Sequence, residues 1–341
     1  DGENAGSDIA ITASVMMPID IQNRFVTALL NFHNDGLMGD THGNDMTGLD
    51  NSQIGVLPFA KVATTGAAAG AYKVEYFPGM MDAMQGKTEF QLKISDDSGA
   101  PVSSTVELML MMFMEDRKHS TPDLDCEEDI AVAGDYYCTV YYVMPSVITT
   151  GDSMGYWQMQ VMVDMKSAVL YPQVMMAMGE TTRVLLKGID PVDTINMMGV
   201  TSSRPYNLFR NDLSGTTGAH NFNLFIAPME DMMNFPALKV GDALNGTFNI
   251  NDVKVEFSTD ASSWTEATNV GAPGTGKWGI VGLTGLTVGV AGKIYVKLSV
   301  DDDSGFPGTF DSDELKTTNG LAADGGANDP SNEYSFFNVT P

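Results

Sequence analysis

The residues in this chain best suited to chemistry are its thioethers. The sequence carries 24 methionines, and nineteen of them fall within the first 178 residues. They come in groups: Met80, Met81 and Met84; Met109, Met111, Met112 and Met114; Met154 to Met165; and Met175, Met176 and Met178. Thioether sulfur is a soft donor that selects Cu(I), and imidazole suits copper as well. Of the four histidines, His33, His42, His119 and His220, only His119 follows a methionine-rich run. The candidate ligand set is therefore Met114, His119, Met144 and Met154, with Met112 and Met80 as substitutes. Met144 precedes Pro145, Met154 precedes Gly155, and Met80 follows Pro78-Gly79, so these sit at strand ends, where side chains converge at one pole of a sandwich. A bland reading competes. Methionine is a flexible filler of irregular cores, and a lone histidine is commonly a solvated surface residue.

The remaining chemistry is sparse. Cys126 and Cys138 are spaced too widely for a redox pair, and no other cysteine offers a zinc site. A disulfide closing a ring of about 13 residues, worth about 3 kcal/mol, is the simplest reading; two unlinked buried thiols is the other. The acidic runs Asp123–Asp129 and Asp301–Asp303 offer hard oxygens to calcium or form solvated turns, and neither fits an EF-hand loop. There is no nucleophile elbow, P-loop, HExxH or CxxCH, so the chain reads as non-catalytic. Gly271–Gly276 lacks the following Lys-Ser/Thr of a phosphate loop and reads as a connection between strands.

Elements of period two must position these groups. Tyr72, Val74 and Tyr76 alternate with Lys73, Glu75 and Phe77; Phe90, Leu92 and Ile94 alternate with Glu89, Gln91 and Lys93. Val106, Leu108, Leu110, Met112 and Met114 share a face, as do Tyr136, Cys138, Val140, Tyr142 and Met144, and again Trp157, Met159, Val161, Val163 and Met165. Such alternation predicts half-buried antiparallel strands. A second series follows at Arg183–Lys187, Asn223–Ile226, Val253–Phe257, Lys293–Leu298 and Tyr334–Val339. The turn Asp96-Asp97-Ser98-Gly99-Ala100-Pro101 has an echo at Asp302-Asp303-Ser304-Gly305-Phe306-Pro307. Toward the N-terminus, Asp8–Met17 reads as a strand and Gln22–Phe32 as a short helix.

Charge and length bound the partners. The 341 residues hold 18 Lys+Arg against 44 Asp+Glu, a formal net charge of −26. That field repels phosphate backbones and anionic membrane surfaces, which argues against nucleic-acid binding. No run of about 20 apolar residues predicts a transmembrane segment. The start, Asp1-Gly2-Glu3-Asn4-Ala5-Gly6-Ser7, is small, polar and acidic, the texture of a mature secreted protein or of a lipoprotein numbered after its lipidated cysteine. With the cysteine pair, this predicts an exported protein of the periplasm, the outer membrane or the exterior.

Within residues 72–165 the pattern resembles YtkA-like and FixH-like domains. Gly86–Ile94 followed by Asp97-Ser98-Gly99-Ala100-Pro101-Val102 is similar to their opening strand, acidic-Gly turn and Pro-Val step. Val106–Met114 with His119-Ser120-Thr121-Pro122 resembles their strand ending in Met and His; Gly134-Asp135-Tyr136-Tyr137 and Met154–Val161 continue the likeness. Two features depart from it: four residues separate Met114 from His119, and Asp123–Asp129 with its cysteine pair looks inserted. The resemblance implies an immunoglobulin-like sandwich of the bacterial envelope, in the company of copper and cytochrome-oxidase systems.

The sequence therefore predicts an all-β chain: an N-terminal extension over 1–60 carrying a strand and a short helix, a methionine-rich immunoglobulin-like antiparallel β-sandwich over 61–180, and a second one over 181–341. The expected function is a non-catalytic, soft-metal-binding envelope protein, with copper as the ion and an envelope or cell-surface protein as partner. The alternative is a structural surface or filament subunit that self-assembles by strand pairing through Asp8–Met17, with methionine as packing.

Overall fold

Alternating burial along each segment makes the elements. The computed structural model describes residues 62–65, 71–78, 83–96, 98–114, 118–122, 125–146, 155–164, 166–188, 193–197, 199–245, 248–270, 275–301, 315–316, 318–321 and 333–341. The expected strand at Asp8–Met17, the helix at Gln22–Phe32, His33, His42, and the candidate ligands Met80 and Met154 lie outside them. The described residues form strands and turns with no helix. None of their elements is a helix long and apolar enough to cross a membrane. The chain divides into two units, Asp1–Met176 and Ala177–Pro341.

The described strands of the first unit are β1 (Val62–Thr65), β2 (Ala71–Pro78), β3 (Gly86–Ser95), β4 (Val106–Phe113), β5 (Lys118–Ser120), β6 (Asp125–Glu128), β7 (Asp135–Tyr142), β8 (Tyr156–Val163) and β9 (Lys166–Leu170). They form two antiparallel sheets, ordered β1-β2-β3-β7-β6 and β5-β4-β8-β9. On β3, Phe90, Leu92 and Ile94 are buried while Gln91 and Lys93 between them are half-buried, the period-two signature of a sheet with one core face. Rings join the sheets: Tyr142 of β7 meets Trp157 of β8 edge to face, centroids 5.0 Å apart. Depth varies along β4. Val106 and Leu108 are half-buried, whereas Leu110, Met112 and Phe113 are buried, so the strand's C-terminal end is the better sealed.

Two devices fix the remaining geometry of this unit. The run Asp123–Asp129, expected as an inserted acidic loop, contributes β6, and Cys126 and Cys138 face each other across β6 and β7 in a disulfide. At the start of β4, the Tyr136 hydroxyl donates to the Ser104 carbonyl at 2.7 Å and accepts the Ser104 N–H at 2.8 Å. Ser104 Oγ and Tyr72 Oη both donate to Asp164, which turns the chain from β8 to β9 at φ 48°. The predicted turn after β3 is closed by Asp96, whose carboxylate accepts the N–H groups of Ser98 and Ala100. The Ser98 hydroxyl, which donates to the same carboxylate oxygen at 2.6 Å, and after it the backbone N–H groups hold the Asp96 pKa below the ordinary carboxylate value.

The second unit is likewise built on two large antiparallel sheets, beside two short two-stranded ones at Thr194–Met197 with Val200–Ser203 and Ala243–Leu244 with Phe248–Asn249. A six-stranded sheet runs Thr268–Asn269, Lys277–Leu283, Ala219–Pro228, Pro205–Thr216, Arg183–Lys187 and Thr318–Leu321. A five-stranded one pairs Asp252–Ser258 with Gly292–Asp301 at its centre, and Ser335–Val339 also pairs with Gly292–Asp301. Phe222 of the first sheet meets Phe257 and Phe337 of the second at 5.2 and 5.6 Å. Around these rings lies one apolar core that includes Leu208, Leu224, Val255 and Val296. Each unit is thus an antiparallel β-sandwich.

Candidate soft-metal site

The site grows from the register at the sealed end of β4. Beyond Phe113 the chain reverses, and β5 pairs back on β4 so that His119 stands directly opposite Met112. On the other flank β8 places Trp157 opposite the same Met112. Directly opposed residues point to one face of an antiparallel sheet, and all three are inside: His119 is 5% exposed, Met112 and Trp157 not at all. The histidine is therefore not at an exposed tip, as expected for strand-end residues, but beneath the surface of the pole. A three-residue strand puts it there, which the Asp-Arg-Lys-His run did not announce.

The opposite sheet supplies the sulfur. Past Tyr142 the chain leaves β7 through Val143–Ser146, and Met144 reaches back so that its Sδ lies 2.9 Å from His119 Nε2. Its backbone is anchored by the Trp157 indole, whose Nε1–H donates to the Met144 carbonyl at 3.0 Å. The imidazole and indole meet edge to face with centroids 5.3 Å apart. Behind the indole stands Tyr142, fully buried, its hydroxyl without a hydrogen-bond partner. Burial pushes that phenol well above its ordinary pKa.

The hydrogen bonds of His119 define its chemistry. Nδ1 lies 2.9 Å from the Ser120 carbonyl oxygen. A carbonyl only accepts, so Nδ1 carries a proton. In the neutral ring Nε2 then presents a lone pair to a thioether, itself an electron-pair donor. That nitrogen can meet the thioether 2.9 Å away through a second proton or through a soft cation. A histidine that ligates a metal through one nitrogen usually gives its other N–H to a carbonyl in this way.

Of the remaining candidates, Met112 turns its methyl toward Gly155, where a Cβ would overlap Met112 Cε. Met114, half-buried just beyond β4, lies beside the same glycine. The structure thus brings His119 and Met144 into contact, seats Met112 on the same face, and lodges Met114 at the rim. Trp157 was read from sequence only as core, and its grip on Met144 left no sequence signal. Among the described residues no three of His, Cys, Asp and Glu converge on a metal position, and the calcium expectation has no described site. His220, expected as an ordinary surface residue, is 1% exposed in the second unit, with neither ring nitrogen hydrogen-bonded.

No protein family matches the chain, and no curated protein matches it. Solved structures give only loose overlaps. A conserved domain protein from Bacillus anthracis has 8% identity and a TM-score of 0.27, covering 74% of this chain and 82% of that one. Domains 5–6 of the S-layer protein SbsC have 12% identity and a TM-score of 0.21, covering 73% and 93%. A run of titin domains has 9% identity and a TM-score of 0.20, covering 69% and 94%. At these scores the overlaps carry no argument, and the description of the fold rests on the strands and registers themselves.

Proposed function

We propose that the chain is a non-catalytic module of the cell exterior whose first unit holds Cu(I) between His119 and Met144. The observation that carries this reading is the imidazole with one nitrogen committed to the Ser120 carbonyl and the other turned on a thioether. A metal bound at about 2.0 Å from nitrogen and about 2.3 Å from sulfur needs those atoms roughly 3.5 Å apart. Met144 is half-buried on an irregular segment and has three rotatable bonds, so it yields the roughly 0.6 Å required beyond the present 2.9 Å. Met112 or Met114 would supply a further sulfur, and the Trp157 and Tyr142 rings exclude water. The net charge of −26 draws cations in, and the disulfide suits an oxidising compartment.

Competition with a Cu(I) chelator tests the reading. Wild-type protein retains one Cu(I) that Met144→Leu and His119→Phe release at the same chelator concentration. Equal retention by all three proteins overturns it.

A second reading, a structural surface subunit, is favoured by a different observation: two sandwiches follow one another, each closing its own core. Self-assembly by strand pairing would need open edges. In the first unit β5 is only three residues long and β6 carries Glu127 and Glu128, both poor templates, which leaves β1 and β9. Electron microscopy of native material tests this; a strictly monomeric protein overturns it.

A further inference from the structure

Near the Met144 segment lie methionines that remain partly open to solvent. Met175 and Met176 are 49% and 63% exposed, and Met84 is half-buried. They are joined by backbone pairing. Met175 N donates to the Ala83 carbonyl at 2.7 Å, and Gln85 N donates to the Met175 carbonyl at 2.9 Å, so Met84 and Met175 stand side by side in a parallel bridge. Residues paired in this way lie about 4.8 Å apart and project to one face, within the span of two thioethers on one ion. Met84 is held on the other side by Thr88, whose hydroxyl accepts the Met84 N–H at 3.1 Å and donates to the Met84 carbonyl at 3.0 Å.

This pair is stitched to the segment carrying Met144. Gln85 Nε2 donates to the carbonyl of Val143, the residue before Met144, at 3.2 Å. Ser146 N donates to the Val174 carbonyl at 2.8 Å, and Val174 N to Ser146 Oγ at 3.1 Å. The segments carrying Met84 and Met175 are therefore hydrogen-bonded directly to the one carrying the half-buried Met144. Exposed methionines gain nothing from burial, while a soft cation gives their sulfurs a partner.

We infer that Met84 and Met175, with Met176 adjoining, form a second, solvent-open thioether site that takes up Cu(I) and passes it to His119 and Met144. The transfer is ligand exchange without change of oxidation state: a surface sulfur leaves as Met144 binds. The delivery step rests on the reading of the buried site; the surface site does not.

The experiment uses full-length protein with 13C-labelled methionine methyl groups, titrated anaerobically with Cu(I). The Met84 and Met175 methyl resonances shift in wild type, and they still shift in Met144→Leu, where the buried site is lost. The combined Met84→Leu, Met175→Leu, Met176→Leu variant binds one equivalent fewer and loads the buried site about tenfold more slowly, since a local reservoir of ion is gone. Surface methyls that stay unmoved while His119 and Met144 load overturn the surface site and leave the buried one standing. Unchanged loading kinetics in the combined variant overturn delivery. Surface shifts in a protein whose His119 and Met144 never respond uphold the surface site and remove the buried one.

Discussion

Among the described residues, two histidines are buried, one in each unit, and they differ in what meets their ring nitrogens. His119 has the Ser120 carbonyl on one side and the Met144 sulfur on the other. His220 sits opposite Leu283 on one neighbouring strand and Gly215 on the other, with both nitrogens lacking hydrogen bonds. A side chain at position 215 would strike the His220 backbone, so this corner is closed by packing alone. Burial is common to both and identifies neither. What distinguishes the two is the group that each ring nitrogen meets.

The second unit concentrates its buried charge elsewhere. Arg204 and Asp193 are 1% and 2% exposed; Arg204 Nε donates to Asp193 Oδ1 at 2.6 Å, and the Tyr206 hydroxyl donates to Oδ2 at 2.5 Å. Arg204 also reaches the Thr194 carbonyl at 3.3 Å and lies over the Phe248 ring. Removing one partner strands the other in a dry interior. Asp193→Ala is expected to cost the second unit about 3–5 kcal/mol. Scanning calorimetry checks it: one transition falls steeply while Cu(I) retention is unchanged. Loss of copper along with that transition would break the contrast between the units.

The next effect sharpens the first unit. Trp157→Phe keeps the ring over His119 but deletes the N–H that anchors Met144. On the proposed reading it is a positioning residue acting through Met144, and Cu(I) affinity is expected to fall roughly tenfold. Stability falls by about 1–3 kcal/mol because the Met144 carbonyl loses its donor. Chelator competition and thermal melts on one preparation separate the two. A stability loss with unchanged affinity would reduce Trp157 to core packing.

Tyr142 gives a pH-dependent test beside the same site. Its folded pKa is raised, so the neutral phenol contributes stability that is complete below the unfolded value of about 10. That contribution is lost as pH rises from there through the folded value. Tyr142→Phe is expected to flatten the alkaline decline of the first unit. At neutral pH it should be neutral or stabilise by about 1 kcal/mol, since the buried hydroxyl has no partner to lose. Melting temperatures between pH 7 and 11 check it; an unchanged alkaline slope refutes the assignment.

What was legible in the sequence follows the physics of alternation. Period two located β2, β3, β4, β7 and β8 and five strands of the second unit, because one face of each strand packs on a core. It also placed Met112 inside. It missed β5 and β6, since three or four polar residues stabilised by a neighbouring strand carry no period of their own. His119 and Met144 were nameable from residue type, but their contact is a meeting of two sheets 25 residues apart in the chain. The indole bond and the isolation of His220 depend on tertiary contacts, to which local composition is blind.

The smallest predicted effect returns to the two histidines. His220→Leu replaces two unsatisfied buried nitrogens with an aliphatic group of similar size, and it leaves no polar partner stranded. Such exchanges are neutral or stabilising by about 1 kcal/mol, a rise of about 2–4 °C for a unit of this size. The same exchange at His119 takes a partner from the Ser120 carbonyl and, on the proposed reading, removes a copper ligand, so it should lower both stability and affinity. Run side by side, the pair isolates the variable: same residue type, similar burial, same substitution, opposite sign. If both substitutions stabilise and neither affects copper, then the Met144 contact is packing, and His119 belongs with His220 as an imidazole that the core merely tolerates.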